Sequence, residues 1–466
     1  MKMWSGRFRQ PLDAEFERWQ RSFPYDQRLL PYELAASRAH AQALKGVGVL
    51  SSDELISILQ GLDQIAALAL SPKFLEDDEA EDVHHFVEKQ LVALIGEIGF
   101  KLHSGRSRNE QIATDLRLYV RSNIDQLRSF LADWCEALLD RADAAGKAVM
   151  PSYTHLQRAE PVLVAHWLLG FVEMFLRDSQ RLEDCRKHAN FCPLGSGPVA
   201  GATLPLDRAA MAVALDFDAP TANSIDATSD RDFVLEFVNT LAVLALHWSR
   251  FAEEMILFST QEFGFVQLPE AYSTGSSAMP QKKNPDLLEL MRGKAARIAG
   301  QANALMIAVK GLPLAYNKDL QETQEPLFEA TETALAVLPM AAGFTRGAEF
   351  DFARMEQAAK TGFLNAWAAA TYLVRQGVPF RQAHEQIGKA VRLCLEKGCE
   401  LEALSVAELQ AISPAFGPDF QAAIKLQAVL DVHDVLGGTA PARVRQAIAA
   451  GRTKTAALRE GVHAHA

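Results

Sequence analysis

The stretch 232–259, DFVLEFVNTLAVLALHWSRFAEEMILFS, contains no Pro and no Gly. Along it Phe233, Phe237, Leu241, Leu244, Trp248, Phe251, Met255 and Phe258 step by fours and threes. That period puts them on one face of an α-helix, as the seam of a helix bundle. Val234, Leu235, Val238, Val243 and Leu246 add apolar groups on other faces. A helix apolar nearly all round needs cover on nearly all sides. One monomeric bundle supplies such cover with difficulty, and an oligomer of bundles supplies it easily.

The same texture extends outward. Residues 221–262 and 106–145 are both free of Pro and Gly, and about 40 helical residues span about 60 Å. Further helices are expected over 161–188, with Pro161 in the first turn, and over 285–309. Another is expected after Asp319, interrupted near Pro326 and Pro339. These make five long helices between about 106 and 355. Period-two alternation typical of strands is hard to find. The chain therefore reads as all-α, in three helical domains: residues 1–105, a central long-helix bundle over 106–358, and a small C-terminal domain over 359–466.

Composition narrows the function. At 466 residues the chain is too long for one ordinary core. Its net charge of -11 argues against a nucleic-acid surface. An anionic substrate must therefore be drawn by a local basic patch. Cys135, Cys185, Cys192, Cys394 and Cys399 are odd in number and scattered, which points to a reducing compartment and no disulfide framework. No zinc-type ligand cluster surrounds Cys394 and Cys399. The opening MKMWSGRFRQ lacks a secretory apolar core, and no run approaches the roughly 18 apolar residues of a membrane span. The expectation is a cytoplasmic protein with neither membrane nor nucleic acid as partner.

Residues 273–286, STGSSAMPQKKNPD, break the apolar pattern. Asn284-Pro285-Asp286 reads as a helix start, with Asn as cap, Pro in the first turn and Asp at the positive end of the dipole. A helix N-terminus beside Lys282 and Lys283 is also suited to anions. Gly275, Ser276 and Ser277 permit a mobile loop that brings a hydroxyl to a carboxylate. Surface lysines on a polar linker account for the same residues, so the pattern alone leaves both readings open.

GSSAMPQKKNPD resembles the signature of the fumarase/aspartase superfamily, and its QKKNPD ending is similar to the argininosuccinate lyase branch. Other segments resemble that branch in the same order: MWSGRF (3–8), EDVHHFVE (81–88), GRSRNEQ (105–111), YTHLQRAEP (153–161), PLGSGPVAG (193–201), NSIDATSDRDF (223–233), LPLAYNKDLQE (312–322) and GGTAPARVR (437–445). The resemblance spans nearly the whole chain. It implies a homotetramer whose long helices form one shared bundle, with active sites built from three subunits and no cofactor or metal. It also implies a reversible β-elimination of argininosuccinate to arginine and fumarate, in arginine biosynthesis.

By the same resemblance Ser276 is the base, Lys282 supports the charge that develops, and His155 pairs with Glu289 to handle the proton of the leaving nitrogen. Substrate contacts are implied for Ser22, Asn109, Thr154, Asn284, Tyr316, Gln321 and the position of Gln324. Arg106 and Arg108 have the fork geometry that suits carboxylates, though helix-start surface arginines look no different in sequence. Asp82 and His84 are expected on the substrate side; His84 and Glu88 at helical spacing are weak evidence for a metal.

Four positions depart from the family pattern. Glu110 stands where Asp is usual, Glu160 where Gln is usual, and Ala278 where a larger apolar residue is usual. In QETQE (321–325), Gln324 replaces a Lys that normally contacts substrate. These departures bear on substrate identity more than on reaction type. They keep open a sibling carbon–nitrogen lyase acting on another N-substituted aspartate. A catalytically silent, crystallin-like relative is the third reading, and it has no need of Ser276, Lys282, His155 and Glu289.

Overall fold

The structure is a computed structural model that describes residues 9–463; the MWSGRF motif lies outside them. Between residues 106 and 355 there are five long helices, Arg108–Ala145, Val164–Ala189, Asp232–Ser259, Asp286–Val309 and Gln324–Gly347, and Pro441–His463 is a sixth near the C-terminus. The all-α expectation therefore holds. Every seam residue of the 232–259 helix is buried, from Phe233 to Phe258. Leu246, on another face, stays 58% exposed.

Three local expectations are corrected. Pro161 does not open a helix. It sits in the strand Gln157–Leu163, which pairs antiparallel with Val149–Thr154, Pro161 opposite Pro151. The Val149–Leu163 hairpin escaped the sequence reading because its buried N-terminal half does not alternate. Second, the helix after Asp319 is not interrupted. A 3₁₀ turn over Lys318–Thr323 leads into Gln324–Gly347, with Pro326 in its first turn and Pro339 inside it. First-turn Pro loses no helical hydrogen bond, and burial of Leu338, Ala341 and Ala342 holds the helix through Pro339. Third, Asn284 is not the cap of its helix. It pairs in extended conformation with Thr274, and the helix starts at Asp286.

The chain forms two compact units. The first comprises residues up to Asp125, Arg181–Ala242 and Arg297–Glu332. In it the helices Leu30–Gly46, Ser52–Leu68 and Val83–Ile95 pack together, the second opened by a Ser51–Glu54 capping box. The second unit comprises Gln126–Gln180, Val243–Ala296 and residues from Thr333 onward. Trp134 stacks on Phe175 there and meets Phe251 edge-on. Its C-terminal helices surround their own core of Leu373, Ile387, Phe416 and Phe420. Hydropathy alone would let the stretch 318–347 cross a bilayer, but 61% of its apolar window is buried, as in a core helix. The five cysteines are free thiols.

Candidate active site

In the first unit, five of the expected substrate contacts converge. Ser22, Asn109, Tyr316, Gln321 and Gln324 line one cavity of about 190 Å³, together with Asp26, Glu81, Asp82, His84, Arg108 and Lys318. Short motifs far apart in the chain meet here. The segment RSFPYD (21–26) supplies the hydroxyl of Ser22, which donates to Asp26 Oδ2 at 2.6 Å. The other Asp26 oxygen accepts the Val83 amide at 3.0 Å. Asp82 caps the Val83–Ile95 helix through the His85 amide and pairs with Arg108 at 3.0 Å. Arg108 also binds Glu81 at 3.1 Å. Asn109 donates to the Pro198 carbonyl, and Gln321 to that of Gln20. Gln324 is 4% exposed, and its Oε1 has no partner among the described residues.

Burial, then the neighbouring Asp82, push the Asp26 carboxyl up to about 7, against the Ser22 hydrogen bond and His84. The folded state thus holds a proton that the unfolded chain releases near 3.8. Stabilisation from that proton is complete at low pH and lost as pH rises through about 7. Relative to Asp26→Asn, which does not titrate, the wild type is expected to lose about 2–3 kcal/mol of stability between about pH 5 and pH 9. Urea unfolding of both proteins across that range measures it; a constant difference would mean that Asp26 is ionised throughout.

Arg106 is not in the cavity wall. Its guanidinium donates to Ser37 Oγ at 2.9 Å and lies 3.7 Å from Glu33. Glu33 also binds His84 Nδ1 at 2.9 Å, and Asp115 lies 3.7 Å from the same nitrogen. So His84 pairs with Glu33 rather than with Glu88. Burial would raise the Glu33 carboxyl, but Arg106 and His84 outweigh it and hold it low. Burial and Glu33 push Asp115 well up. Glu33, His84 and Asp115 have the donor atoms for a cation, yet Arg106 already supplies positive charge there, and the cluster reads as a proton-sharing network. Glu110 also has a structural use. It bridges the Ser107 and Gly197 amides, tying GRSRNEQ to PLGSGPVAG.

The second unit carries the remaining expected residues. Thr154 and His155 sit at the tip of the Val149–Leu163 hairpin, where Thr154 pairs with Gln157. His155 and Leu156 both have positive φ, 54° and 58°, as the two central residues of a type I′ turn require. Non-glycine residues in that region cost energy and gather at functional sites. His155 is exposed there, and among the described residues no hydrogen bond joins it to Glu289. Thr274–Gly275 pairs with Lys283–Asn284, closing a polar loop that carries Ser276 and Lys282. Ser276 Oγ accepts the amides of Ala278 and Met279. The Asn284 amide donates back to Thr274 and to the Gly275 carbonyl. Glu289 lies exposed in the first turn of the following helix. A larger cavity of about 780 Å³ adjoins the hairpin, but its arginines, Arg158 and Arg354, are bound to backbone carbonyls. It includes none of the residues named above for catalysis.

Asp26, Glu81 and Lys318 are cavity residues that the motifs contained without singling out. The four-residue step from Ser22 to Asp26, one helical turn, was the available signal.

The helical fold and the order of its motifs are those of a lyase of the fumarase/aspartase type. A lyase family model matches residues 6–300, and a model of the argininosuccinate lyase C-terminal region matches 363–431. An argininosuccinate lyase from Acidobacterium capsulatum is 60% identical over 464 residues, covering 98% of this chain and 96% of its own. Another, from Koribacter versatilis, is 59% identical over the full length of both. Among solved structures, an EDDS lyase variant with bound fumarate superposes with a TM-score of 0.84 at 25% identity, covering 98% of this chain and 92% of its own. The chain belongs to the argininosuccinate lyase family.

Proposed function

We infer that this protein catalyses the reversible β-elimination of argininosuccinate to L-arginine and fumarate, with Ser276 as base. The observation that carries this is the 59% identity to an argininosuccinate lyase from end to end. The reaction removes a proton from the succinyl carbon next to a carboxylate. The electron pair forms the carbon–carbon double bond of fumarate as the carbon–nitrogen bond breaks, and the leaving nitrogen takes a proton. Stabilising the doubly negative intermediate is the larger task. Lys282 and the start of the Asp286–Val309 helix serve it with positive charge and dipole. His155, oriented by Glu289, handles the second proton. Thr154 and Asn284 hold the substrate beside them.

The cavity lined by Ser22, Asn109, Tyr316, Gln321 and Gln324 holds the rest of the substrate. A homotetramer in the cytoplasm is the assembly that this reading requires. One feature supports packing against further copies: Leu246, Leu290 and Ile307 on the long helices are 58%, 60% and 63% exposed. Packing against further copies covers those faces.

Purified protein is tested with argininosuccinate, adenylosuccinate and aspartate, following fumarate by ultraviolet absorbance. Release from argininosuccinate alone is expected; release only from another compound overturns the assignment. Lys318 and Arg108 are, among the described residues, the lysine and arginine side chains in the cavity wall; Arg108 is engaged by two carboxylates at 3.0 and 3.1 Å, and Lys318 by Glu81 alone, at 3.9 Å. Lys318 therefore carries the charge that Gln324 lacks. Lys318→Gln is expected to raise KM about tenfold, whereas Gln324→Lys shifts it less than about threefold. A large gain in affinity from Gln324→Lys would show that no cation compensates.

A further inference from the structure

We propose that Asp26 is a positioning residue that fixes the direction of the Ser22 hydrogen bond, so that Ser22 accepts from a donor-bearing cationic group of the substrate. This rests on the reading that the cavity holds part of argininosuccinate.

A hydroxyl has one proton to give. Ser22 spends it on Asp26 Oδ2, at 2.6 Å, and both side chains are buried in the cavity wall. The main chain around this bond is held in place. The Ser22 and Phe23 amides both donate to the Glu81 carbonyl, and the second Asp26 oxygen is held by the Val83 amide at the start of a helix. With its proton committed, Ser22 turns lone pairs toward a ligand. Its surroundings favour the same kind of partner. Asp26 stands in the same wall, Glu81 and Asp82 beside it are paired with Arg108, and among the described residues the buried Gln324 Oε1 has no donor. The oxygens of Ser22, Asp26 and Gln324 on this side of the wall receive an ammonium or guanidinium N–H.

Asp26→Asn tests this with almost no change of volume. Asn keeps an oxygen for the Val83 amide and turns its NH₂ to Ser22. The hydroxyl must then accept from Asn, and its own proton points into the cavity, against a cationic ligand. At pH 8.5, where Asp26 is ionised, KM for argininosuccinate is expected to rise about tenfold, with kcat changed less than about threefold. Calorimetry with L-arginine is expected to show the same tenfold weakening, while succinate binding is unchanged. In a Ser22→Ala background, Asp26→Asn is expected to add less than about twofold, because it acts through that hydroxyl. A purely structural role predicts effects that multiply and a loss of succinate binding as well. Multiplying effects, or unaltered L-arginine affinity in Asp26→Asn, overturn the proposal, as does a wild type that binds no L-arginine. A wild type that binds L-arginine through Asp26 but releases no fumarate from argininosuccinate would strike only the reaction assignment.

Discussion

Ser276→Ala is expected to lower kcat on argininosuccinate by about 10³-fold, with KM changed little. In the proposed mechanism the hydroxyl is the group that takes the proton from carbon, and alanine offers no replacement. Water in the loop is a poor substitute, because in that mechanism the rate comes from a base held in place beside positive charge. The fold should be indifferent to the change. Ser276 lies in a polar loop, and among the described residues its side chain accepts only the nearby amides of Ala278 and Met279. These are local bonds that water replaces at small cost. The measurement is initial-rate fumarate release, with circular dichroism and molecular mass as checks on folding and assembly. Turnover at the parent rate by a folded, correctly assembled variant removes Ser276 from the chemistry.

The second large effect concerns stability. Trp248→Ala is expected to cost about 4 kcal/mol in urea unfolding. Trp248 is fully buried in the 232–259 seam, and its indole N–H donates to the Met291 carbonyl at 2.9 Å. Alanine leaves a cavity among rigid helices that cannot close over it, and it abandons that hydrogen bond. Trp248→Phe keeps much of the volume and loses the bond, so a smaller cost, of about 1–2 kcal/mol, is expected. A Trp248→Ala protein within about 1 kcal/mol of the parent would mean that Trp248 is not part of the core of the second unit.

Much of this was legible beforehand, for identifiable reasons. Phe233 through Phe258 repeat at the helical period, and helices form from contacts local in sequence, so the 232–259 helix was visible. The polar loop at 273–286 was visible because Gly275, the hydroxyls and the paired lysines interrupt an apolar chain. The strand around Pro161 was not. Pro opens helices and also occupies strands, and only its partner Pro151 across the hairpin decided between them. Arg106 and Arg108 are two residues apart and alike in chemistry, yet one is buried against Glu33 while the other faces the cavity.

Sequence alone thus determined the long helices, the loop with Ser276 and Lys282, and the family. Each of these is written in local periodicity or in contiguous motifs. Tertiary structure decided which charges meet: Ser22 with Asp26, His84 with Glu33, Arg108 with Glu81 and Asp82. Those pairings bring together residues from separate segments. Their energies depend on distance and burial, which a linear order of residues does not contain.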